Sequence, residues 1–183
     1  MKIRWLGAAL AVIVLTSGSR GTEQIAPELV VGGQWLNSAP LKLSALPGKV
    51  VIVNIWVHSC INCHNSLPTL KKWYATCKKM RLEIVGVHTL EFESDKDLAA
   101  LKRSLASDGV KWLIVQDNQN ATWQAYSNRF WPAFYIIDKK GVIRELHEGE
   151  IRGRYPDAIA PLELTLKKQL GGKGRTVTAH LIC

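Results

Sequence analysis

The sequence predicts an α/β protein in which a mixed β-sheet is flanked by helices. Residues 50–57 and 82–88 are short, nearly continuous apolar runs, which are typical of strands buried on both faces of a sheet. Between them, from residue 60 to about Met80, apolar residues recur at three- and four-residue steps. That spacing predicts a helix connecting the two strands. A strand–helix–strand unit followed by further helices and a hairpin describes a layered α/β sandwich.

The rest of the chain continues this pattern. The further predicted elements are a helix over 95–107, a strand over 112–115, a helix over 121–128, strands over 134–137 and 142–146, and a helix over 155–170. Lys139-Lys140-Gly141 is a turn signal that joins the last two strands as a hairpin. Gly171-Gly172 is expected to end the final helix. A short strand is also predicted over 41–43, before the turn signal Pro47-Gly48.

Length and composition indicate one globular domain. The chain has 183 residues, of which 47% are hydrophobic and 21% are charged, which is ordinary for a folded domain and excludes fibrous and disordered classes. We divide it into a signal peptide or short anchor over 1–19, a mobile lead-in over 20–34, a folded domain over 35–172 and a basic tail over 173–183.

The N-terminus has the pattern of a secretory signal. Lys2 and Arg4 form a basic start, an apolar run follows from Trp5 to Leu15, and small residues close it. The run is shorter than the roughly 20 residues that span a bilayer. We therefore expect a cleaved signal rather than an anchor, and export to the periplasm or another oxidising compartment, with membrane contact only through this segment.

The chain is basic, with a formal net charge of +9. Its Lys and Arg residues form loose clusters at Lys71–Lys72, Lys78–Arg81 and Lys167–Arg175. We interpret them as a solvated surface that favours anionic partners or lipid headgroups. Nucleic acid is not an expected partner, because an exported protein rarely meets it.

Two cysteines carry the main functional signal. Cys60 and Cys63 are separated by two residues and lie directly after a buried strand, at the start of a helix, whereas Cys77 and Cys183 lie far apart in the sequence. Amides at a helix N-terminus stabilise a thiolate and lower its pKa. A thiolate at Cys60 can attack a disulfide, and Cys63 can then resolve the mixed disulfide. We expect Cys60 to be the more exposed sulfur, and this chemistry needs no cofactor or metal.

Other interpretations of the motif remain open. A structural zinc site would need further ligands, for which His58 and His64 are the neighbouring candidates. Cys63-His64 also completes C-x-x-C-H, the pattern of haem attachment, so a haem- or copper-binding protein is an alternative. A merely structural disulfide is another. Within thiol chemistry, the alternatives are a disulfide oxidase or isomerase and a thiol peroxidase.

Several motifs resemble one family. The segment L-P-G-K-V-V-I-V-N-I-W followed by C-x-x-C, with Pro68 in the helix, resembles the TlpA/ResA branch of the thioredoxin-like superfamily. Three more are similar to the periplasmic thioredoxin-like domain of DipZ-type proteins: G-V-H-T-L-E-F-E, D-N-Q-N-A-T-W and N-R-F-W-P. The resemblance implies a thioredoxin-like three-layer sandwich and an exported reductant of protein disulfides, often one serving cytochrome c maturation.

The resemblance also implies partners and roles. A separate membrane electron donor of CcdA/DsbD type is expected, alongside protein disulfide or dithiol substrates. Trp131-Pro132 matches the family's cis-proline site, which binds substrate backbone. Asn54 stands where thioredoxin has a buried acid, so the proton shuttle is open. The candidates for proton transfer or pKa tuning are His58, His64, Glu91 and Glu93.

Overall fold

The structure, a computed structural model, describes residues 23–171. The predicted signal peptide, the basic tail and Gly172 lie outside the described residues. The strands are β1 (Trp35–Leu36), β2 (Val50–Trp56), β3 (Leu82–His88), β4 (Leu113–Gln116), β5 (Ala133–Ile137) and β6 (Ile143–Glu148). The α-helices are α1 (Ile61–Cys77), α2 (Leu98–Asp108), α3 (Ala121–Ala125) and α4 (Pro156–Leu170).

The strands form one mixed sheet in the order β1-β4-β3-β2-β5-β6. Strand β2 lies inside the sheet, parallel to β3 and antiparallel to β5. Strands β3 and β4 are parallel, and β5 and β6 are antiparallel. Every residue of β2 and β3 is buried, as their continuous apolar runs predict. The mixed α/β sheet expected from the sequence is therefore confirmed.

Apolar side chains cover both faces of the sheet. On one face, α1, α2 and α4 contribute Leu70, Trp73, Leu105 and Leu166, among others, to one buried cluster. On the other face, Tyr126 and Tyr135 pack with the alternate side chains of β2 and β3, and α3 lies beside them. The sheet between two apolar clusters gives three layers. Within residues 23–171, no helix has the length and apolarity that crossing a membrane would require.

The start of the domain differs from the prediction at residues 41–43. Instead of a strand, residues Leu43–Ala45 form a 3₁₀ turn. The Glu28 carboxylate accepts hydrogen bonds from the backbone N–H groups of Leu43 and Ser44, each at 2.8 Å. This cap comes from a residue distant in sequence, and it satisfies the backbone donors that a strand would have offered to a neighbour.

Helix α2 begins three residues later than predicted, at Leu98. Buried Asp95 accepts hydrogen bonds from the backbone N–H groups of Glu91 and Phe92, at 3.1 and 2.7 Å, which closes a 3₁₀ turn over Glu93–Lys96. The Asp97 carboxylate then accepts from Ala99 N at 2.8 Å and caps the α-helix. Asp95 thus closes the 3₁₀ turn and Asp97 starts the α-helix, so the two elements are separate.

The described part of the expected mobile lead-in lies against the domain. The Thr122 hydroxyl accepts from Val30 N and donates to Val30 O, at 2.8 and 2.9 Å, and the Tyr126 hydroxyl donates to Pro27 O at 2.9 Å. Ile25 forms an isolated β-bridge with Val142. These contacts use backbone groups, so they leave no apolar period in the sequence.

Candidate active site

Three loops meet at one end of the central strands of the sheet. Strands β2 and β3 are parallel and end there, while antiparallel β5 begins there. The turn 57–60, the loop 89–97 and the loop 130–132 are therefore neighbours. They carry the candidate residues Cys60, Glu91 and Pro132, which the fold brings together from three parts of the chain.

Cys60 is the N-cap residue of α1. Its backbone is extended (φ −86°, ψ 116°), and its Sγ accepts a hydrogen bond from Cys63 N at 3.3 Å. Cys60 is partly exposed, whereas Cys63, in the first turn, is only 3% exposed and belongs to the buried cluster with Trp56 and Leu67. The two sulfurs have the unequal exposure that the sequence predicts.

The two thiols differ in acidity for identifiable reasons. A hydrogen bond from the Cys63 side chain, assisted by the backbone amides of Cys63 and Asn62, lowers the pKa of Cys60 to about 6 despite partial burial. Burial strongly raises the pKa of Cys63, and the hydrogen bond to Cys60 raises it further. At neutral pH the pair therefore holds a thiolate on Cys60 and a proton on Cys63.

The loop before β5 contains the cis peptide bond Trp131–Pro132. Pro132 is buried, and the Trp131 indole Nε1 donates to Thr89 Oγ1 at 2.7 Å. The Trp131 ring also packs on Trp123, with ring centroids 4.4 Å apart. These contacts hold the loop in one position beside the end of β3.

His58 lies between two other histidines. His88 Nε2 accepts from His58 N at 3.2 Å and lies 2.9 Å from His58 Nδ1. Because this Nε2 accepts the backbone bond, it carries no proton, so His58 Nδ1 is the donor of the second bond. On the other side, His64 Nε2 donates to the carbonyl oxygen of His58 at 2.7 Å. The ring of His58 is thus directed into the protein.

His88 is a site residue that the sequence reasoning missed. It is fully buried at the end of β3, and burial, with a smaller contribution from His58, lowers its pKa to about 4. Asp95 Oδ1 lies 3.9 Å from His58 Nδ1 on the same side. A polar residue at the carboxyl end of a buried strand, level with the cysteines, is the signal that marks it.

The remaining candidates separate in space. The charge of Glu91 raises the pKa of both cysteines, although its side chain is exposed. Glu93 is exposed and bonded to Lys96 at 2.7 Å. His64 Nδ1 lies 3.1 Å from Asp108 Oδ2, which links α1 to α2. Within residues 23–171, no group of three or more His, Cys, Asp or Glu side chains is arranged to hold a metal ion.

Comparison with known proteins identifies the family. The Redoxin family profile matches residues 24–160, which include the sheet and the cysteine pair. The chain belongs to the Redoxin family. Its relatives include the protein DipZ of Mycobacterium bovis, 38% identical over 144 residues, which are 74% of this chain and 21% of DipZ. The chain thus spans about a fifth of DipZ.

In two further comparisons the match covers most of the other protein's length. The thiol-disulfide oxidoreductase YkuV of Bacillus subtilis is 28% identical over 123 residues, which are 67% of this chain and 82% of YkuV. The crystal structure of a thioredoxin-like superfamily protein matches with a TM-score of 0.72 and 27% identity, over 83% of this chain and 99% of that one. This Redoxin domain is a thiol–disulfide oxidoreductase of the thioredoxin-like type, and the resemblance to the TlpA/ResA branch is confirmed.

Proposed function

We propose that this Redoxin domain is an exported reductant of protein disulfides, with Cys60 as the nucleophile and Cys63 as the resolving thiol. One observation carries the assignment of roles. The pKa of the partly exposed thiol is lowered to about 6, while that of its buried neighbour is raised. A nucleophile must be ionised and reachable, and only Cys60 of the pair combines these properties.

The reaction proceeds in two exchanges. The Cys60 thiolate attacks one sulfur of a substrate disulfide, forms a mixed disulfide and releases the first substrate sulfur as a thiolate. Cys63 then loses its proton and attacks Cys60 Sγ, which breaks the mixed disulfide and releases the second substrate thiolate. The substrate disulfide gains two electrons and, after protonation, becomes a dithiol. Cys60 and Cys63 become a disulfide.

We propose Glu91 as the proton acceptor for Cys63. Once Cys60 is in the mixed disulfide, it no longer carries the charge that opposes ionisation of Cys63. Glu91 is the carboxylate whose charge acts on both thiols, whereas Glu93 is bonded to Lys96. His58 donates to His88, and His64 donates to the His58 carbonyl, so we assign both histidines to positioning the turn before Cys60.

We propose that the substrate backbone lies along Trp131 and Pro132. Trp131 is held by its hydrogen bond to Thr89 and by ring packing against Trp123. The neighbouring side chains Ile61 and Phe130 are 69% and 55% exposed. Exposed apolar side chains beside a reactive sulfur favour an extended protein segment over a small hydrophilic disulfide. The substrate class is therefore protein disulfides.

The acidity of Cys60 supports a reducing direction of electron flow. Oxidising DsbA has a thiol pKa of about 3.5 and a potential of about −120 mV, whereas reducing thioredoxin has values of about 7 and −270 mV. A pKa of about 6 for Cys60 is nearer to that of thioredoxin. The signal-like N-terminus supports export to the periplasm. There, a membrane electron donor of CcdA/DsbD type would reduce the Cys60–Cys63 disulfide after each reaction. The TlpA/ResA resemblance supports a role in cytochrome c maturation.

The reduction potential of the Cys60–Cys63 pair tests this proposal. We expect a value near −270 mV when the protein is equilibrated with thiol buffers, and a value near −120 mV would instead indicate an oxidant. Insulin reduction should be lost in Cys60→Ser, while Cys63→Ser should accumulate mixed disulfides with substrate. Retention of full activity by Cys60→Ser would contradict the proposed mechanism.

A further inference from the structure

The end of the sheet opposite Cys60 carries a group of cations, which we name the basic pole. Its members are Lys49, Lys78, Lys79, Arg81, Lys139, Lys140, Lys167 and Lys168. Six of the eight are exposed, and Lys49 and Lys167 are half-buried. They come from four separate parts of the chain, so no single sequence cluster contains them. The fold alone brings them together.

Backbone contacts establish this arrangement. Val50 N, at the start of β2, donates to Arg81 O at 3.0 Å, so the turn after α1 lies beside the start of the sheet. Val51 pairs with Ile137, which places the hairpin 138–142 at the same end. A Cβ added to Gly171 would lie 3.6 Å from Lys139 Nζ, so α4 also ends there.

Few carboxylates neutralise the basic pole. Lys49 is bonded to Glu83 at 2.8 Å. Nearby Asp138 is bonded to Arg144, which lies outside the group, at 2.7 Å, and Glu28 is bonded to backbone amides. Among residues 23–171, no carboxylate lies within ion-pair distance of the other seven members. Their charges are therefore available to an external anion.

The opposite end of the sheet differs in charge. The carboxylates Glu91, Glu93, Asp95, Glu148 and Glu150 lie in or beside the segments that meet near Cys60. Of the cations there, Lys96 and Arg152 are bonded to Glu93 and Glu150, and Arg129 and Arg154 are exposed without an ion pair among residues 23–171. Carboxylates and cations therefore nearly balance at this end, and the excess of positive charge lies at the end away from the thiols.

The chain also enters the domain at the basic pole. Ala26 N donates to Gly141 O at 2.9 Å, and Glu23 is bonded to Arg144 at 2.9 Å. The described chain therefore begins beside the hairpin that carries Lys139 and Lys140. The apolar run Trp5–Leu15 lies upstream of this point in the sequence.

We infer that the basic pole binds the anionic headgroups of a phospholipid surface and holds the domain with Cys60 directed away from the bilayer. Helix α1 has 17 residues, so about 25 Å of helix separates Cys60 from Lys78. Cations on four surface segments suit a broad, planar array of phosphates better than a single anionic ligand. Where residues 1–19 are retained as the short anchor, the chain enters the domain at this same end, which favours a membrane over an acidic protein as the occupant.

Binding of the full chain to vesicles tests this inference. We expect it to cosediment with vesicles containing phosphatidylglycerol at about 0.1 M NaCl and to be released at about 1 M, where the Debye length falls to about 3 Å. The variant Lys79→Glu/Lys140→Glu should bind at least about tenfold more weakly, because each Lys or Arg near an anionic membrane surface adds to the free energy of binding. The control Lys102→Glu/Arg103→Glu, on α2, makes the same change in net charge and should bind like the wild type.

Folding, activity and lipid charge provide the remaining readouts. Both variants should keep the wild-type melting temperature and insulin reduction, and vesicle binding should leave the rate at which Cys60 reacts with a soluble disulfide unchanged. Equal binding to phosphatidylcholine vesicles would assign the attachment to the apolar run and overturn the inference. Equal loss in the two variants would also overturn it, as would slower reaction of Cys60 on the vesicle.

Discussion

His88 Nε2 accepts two hydrogen bonds from His58, one from the backbone N–H at 3.2 Å and one from ring Nδ1 at 2.9 Å. The end of β3 thereby holds the turn between β2 and α1, two residues before Cys60. The two residues are separated by 30 positions in sequence, so the reactive cysteine depends on the packing of neighbouring strands.

Replacing His88 should destabilise the domain. His88→Asn removes the acceptor of two His58 donors in a buried site, and we expect a loss of about 2–4 kcal/mol in the free energy of unfolding at pH 7. Urea unfolding measures this loss. The matched control is His147→Asn, because His147 is a half-buried strand histidine whose Nε2 has no hydrogen-bond partner in residues 23–171. Similar losses in both variants would contradict the importance of the His58–His88 pair.

His88 should also make stability depend on acid. Its pKa is about 4 in the folded protein and 6.5 in the unfolded chain, so only the unfolded state gains this proton as the pH falls from 6.5 to 4. The wild type should therefore lose stability over this range. His88→Asn lacks this proton uptake, and the difference in unfolding free energy between wild type and variant should narrow. A constant difference from pH 7 to pH 4.5 would refute the assignment.

Cys60 should make the stability of the reduced protein depend on pH over a higher range than His88 does. Its pKa is 9.0 when unfolded and about 6 when folded, so the stabilisation is fully present above pH 9 and is lost as the pH falls through 6. Between these values, the reduced wild type should gain stability with pH relative to reduced Cys60→Ser. Thiolate absorbance at 240 nm should rise with a midpoint near 6. A midpoint near 9 would contradict the proposed thiolate.

Removing the charge of Glu91 should make both thiols more acidic. Its carboxylate raises the pKa of Cys60 and Cys63, so Glu91→Gln should shift the midpoint of the 240 nm titration to lower pH. If Glu91 accepts the Cys63 proton, the same variant should resolve mixed disulfides more slowly at neutral pH. Glu93→Gln is the control, because Glu93 is exposed and bonded to Lys96. An equal shift in the two variants would refute the special position of Glu91.

Ser66 should stabilise the active-site helix. Its buried hydroxyl donates to Asn62 O at 2.8 Å and accepts from Ile151 N at 3.0 Å. Ser66→Ala leaves the Ile151 amide without its acceptor and should cost about 1–3 kcal/mol in unfolding free energy. The control Thr76→Ala, at an exposed position of the same helix, should change stability by less than about 0.5 kcal/mol. Thermal and urea unfolding distinguish the two.

Local patterns sufficed for the central elements. The apolar runs at residues 50–57 and 82–88 correspond to β2 and β3 within one residue, because strands covered on both faces admit almost no polar residues. The position of Cys60 and Cys63 at the start of α1, and their unequal exposure, also followed from the order of strand, motif and helix. A helix N-terminus is a local feature, and its effect on a thiolate needs no knowledge of distant residues.

Long-range contacts account for the features that the pattern did not reveal. Residues 41–43 look apolar enough for a strand, but a carboxylate from Glu28 caps them as a turn. Glu91 and Glu93 are equivalent in sequence and both exposed, and only the folded loop distinguishes them: the charge of Glu91 acts on both thiols, whereas Glu93 is bonded to Lys96. His88 positions the turn before Cys60 because β2 and β3 are paired. The basic pole exists because four segments of the chain meet at the same end of the sheet. The period of apolar residues in the sequence predicts whether a side chain is buried. The hydrogen-bond partners and neighbouring charges of that side chain depend on which distant segments pack together.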